Sequence, residues 1–266
     1  MIFETALADA LYLNWSIPLA ALPPLPPGLR YDQGSAPGSG GGSHGYFSLV
    51  LFRQAGLHLR GASWFALSYP QVNARLYVRD AAGSAAVLLL RQLVPGWVVP
   101  IGRLVGGQPL SAAVCEFPGG RSGGLRLGRA AAGDGPRGED PTAWRWKFAA
   151  GARFAVGVEI GASGGGVPGG GATWEEQVAF FRDRPRTFWR QGEALRRMTI
   201  EPAPVPALPV RARIELAGWL ETYLPFAPAE GWTALHSAFL VPKVQLVFAF
   251  DTARDLPVAA PMAAAG

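Results

Sequence analysis

Several segments of the chain alternate between apolar and polar residues with a period of two, as in a β-strand with one face on a core. The clearest segment spans residues 72–79, in which every second residue is apolar: Val72, Ala74, Leu76 and Val78. Its opposite face carries Asn73, Arg75, Tyr77 and Arg79. The same alternation predicts strands in three further segments, at residues 144–148, 153–160 and 210–216.

Two other segments are apolar at almost every position, which is typical of strands covered on both faces. One spans residues 85–90. The other lies near the C-terminus and places four apolar residues on one face: Val244, Leu246, Phe248 and Phe250. Val247 and Ala249 make its second face nearly apolar as well.

Helices are sparse in the sequence pattern. Thr173 and Glu176 form a capping box, and an apolar face with helical spacing follows until Pro185. A second, weaker helical pattern occupies residues 4–13. We therefore expect an α+β fold that is mostly β, with a few short helices.

Three Gly-rich stretches interrupt the strands, at residues 34–45, 118–141 and 161–171, and we predict loops there. Residues 256–266 are rich in Ala and Pro and are predicted to be a disordered tail. None of the Gly-rich stretches resembles an interdomain linker, so residues 1–255 are predicted to form a single domain.

Composition excludes several kinds of partner. The chain has 24 basic and 19 acidic side chains and a net charge of +5, but its basic residues are scattered singly, so we expect no nucleic-acid partner. No apolar run is long enough for a membrane span, and the acidic N-terminal segment is unlike a signal peptide. With Cys115 as its single cysteine, the protein is expected in the cytoplasm.

The common catalytic and cofactor motifs are missing from the sequence. It contains no GxxxxGK[ST] loop, no dinucleotide-binding fingerprint in a β-α-β unit and no GxSxG elbow. His44, His58 and His236 have no spacing typical of metal ligands. We therefore predict neither a metal site nor a cofactor.

Two kinds of polar residue remain as candidates. Glu116 lies among apolar neighbours in AAVCEF, where burial would raise its pKa, although a strand-end glutamate facing water is the alternative. Arg75 and Tyr77 share the polar face of their strand, which lines a cavity or faces solvent. In a cavity, the arginine would pair with a carboxylate through two hydrogen bonds.

Four segments resemble the YqjF-like domain-of-unknown-function branch of the acetoacetate decarboxylase-like superfamily. They are LPPGLRYD at 25–32, YPQVNARLYVRD at 69–80, FFRDRPRTFW at 180–189 and LHSAFLVPKVQLVF at 235–248. The resemblance implies a curved, largely antiparallel sheet that closes into a cone or partial barrel around a cavity.

The resemblance also implies differences in chemistry. Acetoacetate decarboxylases form an imine on a lysine beside a second lysine, whereas the matching segment here has Leu110 and Ser111. Gln71 stands where the branch has an acidic residue. The only lysines, Lys147 and Lys243, are not adjacent in sequence, so imine chemistry is not expected.

Three hypotheses follow for function. The first is a pocket that binds a small organic acid or similar metabolite through Asn73, Arg75, Tyr77 and Arg103. The second is a lyase, hydratase or isomerase that uses Glu116 as general acid or base. Whether any reaction is catalysed stays open at this point. The third is assembly into a homo-oligomer through the apolar C-terminal strand, since relatives in the superfamily oligomerise.

Overall fold

The structure is a computed structural model that describes residues 1–33, 43–117, 143–160, 173–202 and 205–250. The predicted Gly-rich loops lie largely outside these ranges, and the predicted tail lies wholly outside them. No helix in the described part of the chain is long and apolar enough to cross a membrane.

The described residues form thirteen strands, three α-helices and a short 3-10 helix at Leu19–Ala21. The strands are β1 (Ile2–Pro18), β2 (Leu29–Tyr31), β3 (His44–Leu59), β4 (Leu67–Asp80), β5 (Ala85–Val94), β6 (Leu110–Ala112), β7 (Val114–Glu116), β8 (Ala143–Ala150), β9 (Ala152–Ile160), β10 (Arg186–Gln191), β11 (Ala194–Pro202), β12 (Leu208–Leu216) and β13 (Ser237–Phe250). The helices are α1 (Val98–Gly106), α2 (Trp174–Arg182) and α3 (Gly218–Tyr223).

Seven strands form a closed ring in the order β1-β3-β4-β5-β10-β11-β13, because β13 also pairs with β1. Neighbouring strands in the ring are antiparallel except β5 and β10, which run parallel. Two short strands extend the sheet outside this path, β2 beside β4 and β6 beside β5. The curved, largely antiparallel sheet that closes on itself is therefore confirmed.

A second sheet, β12-β9-β8-β7, branches from β13, since β12 pairs with it at Leu208 and Pro209. The predicted strands at 144–148, 153–160 and 210–216 all belong to this sheet and are confirmed. One apolar core joins the outer face of the ring to this sheet, and it includes Trp15, Phe47, Leu76, Trp146, Phe154 and Trp219. Burial of these large side chains supplies the main driving force for folding.

Bulges change which residues face the interior of the ring. The pairing of β1 with β3 shifts register between Ala8 and Leu11, and Asp9 between them has a positive φ of 53°. Because an extra residue reverses the alternation of a strand, the inward positions change from odd to even numbers after Asp9. The helix predicted at residues 4–13 is wrong, since this segment is part of β1 and pairs with both β3 and β13.

Of the three α-helices, the sequence predicts only α2. Its capping box is confirmed, because Thr173 Oγ1 accepts from the Glu176 amide at 3.2 Å and the Glu176 carboxylate accepts from the Thr173 amide at 2.8 Å. By contrast, α1 contains a proline and two glycines, which weaken helical propensity. Close packing stabilises α1 instead. Gly102 lies against the Leu110 side chain, at a distance where a Cβ on residue 102 would clash.

Candidate functional site

The ring of strands encloses a cavity of about 280 Å³. Inward side chains of all seven ring strands form its wall. Helix α1 covers one end with Val98, Ile101 and Val105. The segment that ends α2 closes the other end, where Arg182 and Arg184 reach the cavity. The closed sheet thus holds side chains from distant parts of the chain around one volume.

Strand β4 turns its polar face toward this cavity. Gln71, Asn73 and Arg75 line it, while the apolar residues between them pack in the core between the two sheets. Tyr77, one step further along the same face, is fully buried beside the cavity and contacts Arg75. The structure therefore brings together three of the four residues predicted to bind a ligand.

Arg75 is held by neutral groups. Its Nη2 donates to the Phe181 carbonyl at 2.7 Å and to the Tyr77 hydroxyl at 3.0 Å. Its guanidinium lies over the Tyr12 ring, 5.1 Å from the centroid. Burial raises the pKa of Tyr12, and this effect outweighs the opposing influence of the Arg75 charge. The raised pKa keeps the phenol neutral.

Among the described residues, the charge of Arg75 has no acidic partner. No carboxylate of the described residues forms a salt bridge with it, and its Nε is buried without a hydrogen bond. An unpaired cationic group that faces a cavity favours an anion there. The site is therefore suited to a carboxylate.

A series of buried hydrogen bonds holds Tyr77, and through it Arg75, in position. The Tyr77 hydroxyl lies 2.9 Å from Ser48 Oγ, and Ser48 Oγ donates to the Asn14 side-chain oxygen. Asn14 Nδ2 in turn donates to Ser237 Oγ at 3.0 Å. These contacts join β4, β3, β1 and β13, so the position of the guanidinium is set by four strands of the ring.

The other two arginines at the cavity are already neutralised. Arg184 donates to the fully buried carboxylate of Asp32 at 2.6 Å. Arg182 makes two hydrogen bonds to Asp183, at 2.7 and 2.9 Å. Among the described residues that line the cavity, none is an aspartate or glutamate. Arg75 is thus the arginine of the three whose charge a ligand would balance.

Amide side chains lie beside Arg75 on the cavity wall. Asn73 Oδ1 accepts from Gln71 Nε2 at 2.7 Å and from Gln92 Nε2 at 3.3 Å. Two buried oxygens on this wall have no hydrogen-bond partner, Gln92 Oε1 and Thr187 Oγ1. Since buried polar atoms are normally bonded, these oxygens are suited to a polar group of a ligand.

Two predicted site residues lie elsewhere. Arg103 is exposed on the outer side of α1 and does not line the cavity. Glu116 is on β7 in the second sheet, where its side chain is 67% exposed and pairs with Lys147 at 3.0 Å. Of the two alternatives for Glu116, the structure shows the one that faces water, because the side of β7 that carries it points to solvent.

Sequence reasoning missed several residues around Arg75. Tyr12 was obscured by the helical pattern of its segment, although Leu11, Leu13, Trp15 and Ile17 alternate with it as strand residues do. Gln92 and Thr187 carry no local signal, since only pairing of β5 with β4 and β10 brings them to the cavity. Within the described ranges, no three metal-binding side chains cluster together.

Comparison with known proteins gives a family and a fold. Residues 4–232 match the family DUF2071, described as an uncharacterized conserved protein. No curated protein matches the sequence.

Similar solved structures include the enduracididine biosynthesis enzyme MppR complexed with the condensation product of pyruvate and imidazole 4-carboxaldehyde. It has a TM-score of 0.57 and 15% identity, and the match covers 98% of this chain and 91% of that chain. MppR complexed with pyruvate gives a TM-score of 0.56 at 13% identity, with coverage of 98% and 92%. An acetoacetate decarboxylase-like enzyme from Sphingomonas wittichii RW1 gives 0.46 at 14% identity, with coverage of 94% and 89%. At these identities the likeness to MppR concerns the fold alone.

Proposed function

The chain belongs to the DUF2071 family, and from the geometry of its site we propose that it binds a small organic acid inside its ring of strands. In this proposal the ligand carboxylate accepts hydrogen bonds from Arg75. Asn73 orients the acid from the cavity wall, and Tyr77 holds the guanidinium in place. The observation that supports it is that Arg75 lines the cavity and forms no salt bridge with any carboxylate in the part of the chain that the structure describes.

Electrostatics favours this occupant over a neutral one. Inside a protein, a charge without a partner is unfavourable, and an incoming anion removes that penalty. Guanidinium groups match carboxylates in shape as well as charge, because they offer parallel N–H donors in one plane. Arg75 is also held in place before the ligand arrives, which reduces the entropy lost on binding.

The positions of the two lysines are consistent with a ligand that binds without forming an imine. Lys147 pairs with Glu116 on the second sheet, and Lys243 is exposed on β13. Neither lines the cavity. MppR was solved with pyruvate, a small keto acid of the proposed ligand class, but its likeness to this chain extends only to the fold.

The alternative of a lyase, hydratase or isomerase that uses Glu116 loses its physical basis. A general acid at neutral pH needs a raised pKa, which burial would have supplied. The exposed side chain of Glu116 and its ion pair with Lys147 provide no such environment. We therefore propose a binding function and assign no catalytic residue.

Isothermal titration calorimetry with a panel of monocarboxylates tests the proposal. Arg75→Met should weaken binding about tenfold to a hundredfold, the usual effect of losing a charged hydrogen bond. Arg75→Lys should retain part of the affinity, because it keeps the charge but not the planar donors. Arg103→Met is the matched control, since Arg103 lies outside the cavity, and it should bind as the wild type does.

Folding of each variant is checked by near-UV circular dichroism, because Arg75 also bonds to Phe181 and Tyr77. A folded Arg75→Met variant that binds the acids as tightly as the wild type would overturn the proposal. Failure of every monocarboxylate in the panel to bind the wild type would overturn it as well.

A further inference from the structure

The inner face of β4 changes character along its length. It begins with Leu67 and Tyr69 near α1, continues with the amides of Gln71 and Asn73, and ends with Arg75. At about 3.3 Å per residue, Leu67 and Arg75 lie roughly 26 Å apart along the strand. The cavity therefore has a cationic end and an apolar end.

The apolar end is built by three strands and α1. Phe3 of β1 stacks on Phe248 at 5.5 Å and meets Phe250 edge-on at 5.6 Å. Ile101 and Val105 of α1 line the same cavity. The inward residues of β13 from Val244 to Phe250 are all apolar. His58 also lies at this end, but its ring already contacts the Gly56 carbonyl and Glu4. A polar ligand that filled this end would therefore lose its hydration and gain few hydrogen bonds.

On the basis of the proposed function, we propose further that the ligand is an amphipathic monocarboxylic acid. Its carboxylate binds at Arg75, and an aliphatic or aromatic body extends toward α1. A cavity of about 150 Å³ accommodates benzene, so a cavity of about 280 Å³ has room for about ten carbon atoms. A three-carbon acid would leave most of the apolar wall without contact.

A second acidic group on the ligand does not fit this arrangement. Arg184 and Arg182, the other arginines at the cavity, are paired with Asp32 and Asp183. A dicarboxylate would have to break one of these pairs, compete with Glu4 for His58, or place its second charge against uncharged side chains. Each of these outcomes is unfavourable. The side chains of the cavity wall therefore favour a ligand with one carboxylate and one apolar body.

A chain-length series measured by calorimetry tests this inference. The probes are propanoate, hexanoate, octanoate and decanoate. We expect the Kd to fall about threefold to fourfold for each added methylene up to octanoate, since each CH₂ removes apolar surface from water. A Kd that does not change with chain length, or that rises from propanoate to octanoate, would overturn the inference.

Two neighbouring residues of α1 provide matched variants. Val105 lines the cavity, whereas Leu104 is 89% exposed. Val105→Asn should weaken binding of decanoate, the longest probe, at least about fivefold and leave propanoate unaffected, while Leu104→Asn should change neither. Val105→Thr preserves the shape of the side chain and should show a smaller effect in the same direction. Equal effects of the Val105 and Leu104 variants on decanoate binding would contradict the inference.

The outcomes separate this inference from the proposed function. If all acids bind with one affinity that depends on Arg75, the carboxylate site stands and the amphipathic ligand is rejected. If octan-1-ol binds as tightly as octanoate and Arg75→Met changes neither, the carboxylate site itself is rejected, and the inference with it.

Discussion

At the scale of single residues, the arginines around the cavity differ in how their charge is balanced. Arg184 stacks over the Phe180 ring at 4.2 Å and pairs with Asp32, which also accepts from Arg79 at 2.9 Å. Because Asp32 is fully buried, its charge depends on these two partners. Arg75 has aromatic, hydroxyl and carbonyl neighbours instead, and within the described ranges no carboxylate pairs with it.

The contrast between Asp32 and Asp183 gives a prediction about stability. Asp32→Asn should lower the free energy of unfolding by about 3–5 kcal/mol, because it leaves the buried Arg184 without a counter-charge. Asp183→Asn should lower it by less than about 1 kcal/mol, since its pair with Arg182 is partly exposed and screened by solvent. Urea denaturation followed by circular dichroism measures both. Equal decreases in the free energy of unfolding for the two variants would show that burial of Asp32 does not determine the contribution of its ion pair to stability.

At the scale of elements, bulges decide which side chains reach the cavity. Asp9 reverses the alternation of β1, so that Leu7 and Tyr12 both face inward. The pairing of β4 with β5 shifts between Ala74 and Arg75, and Val87 and Gln92 both line the cavity as a result. Bulges at these points place polar and apolar residues on the same inner wall.

The positive φ of Asp9 makes the bulge in β1 testable. Asp9→Val should lower the free energy of unfolding by about 1–3 kcal/mol, because a β-branched residue is strained in this conformation. Asp9→Gly should lower it less, since glycine accepts the conformation and only the partly buried pair with Arg53 is lost. Guanidinium denaturation of the two variants provides the comparison. A glycine variant less stable than the valine variant would contradict the account.

At the scale of the whole molecule, ring closure and one shared core join the elements. β13 pairs with β1 along its length and with β11 and β12 on its other side. It therefore offers no continuous free edge to a second copy, and homo-oligomer formation stays a prediction for light scattering. Trp15 links the ring to the segment before β13 by donating from Nε1 to the Trp232 carbonyl at 3.0 Å.

A single core across both sheets predicts one cooperative unfolding transition. Tryptophan fluorescence and far-UV circular dichroism should give coincident urea curves, because the ring and the second sheet share buried side chains. Trp15→Phe should shift both curves together by about 1–3 kcal/mol, through loss of volume and of the bond to Trp232. Two separated transitions would contradict the single domain predicted for residues 1–255.

Local pattern was sufficient for much of the fold. Alternation in residues 72–79 identified a strand and sorted its residues onto two faces, because successive side chains of any strand point in opposite directions. The capping box identified α2, since its hydrogen bonds join residues only three apart. Such signals depend on neighbours in sequence and need no knowledge of the rest of the chain.

The alternation of apolar and polar residues separates the two faces of a strand. It does not show which face lines a cavity and which faces a core or solvent. The polar face of β4 lines the cavity, whereas that of β7 leaves Glu116 in water. The sequence by itself determined six of the strands (β4, β5, β8, β9, β12 and β13), α2 and the composition of each face of β4. The tertiary structure alone decided the inward position of Arg75, the exposure of Glu116 and Arg103, and the presence of Tyr12 and Gln92 at the site. These features depend on bulges and on closure of the ring, which brings together residues as distant in sequence as Asn14 and Ser237. The free energy of such contacts comes from residues far apart in the chain, so a short segment of sequence carries no information about it.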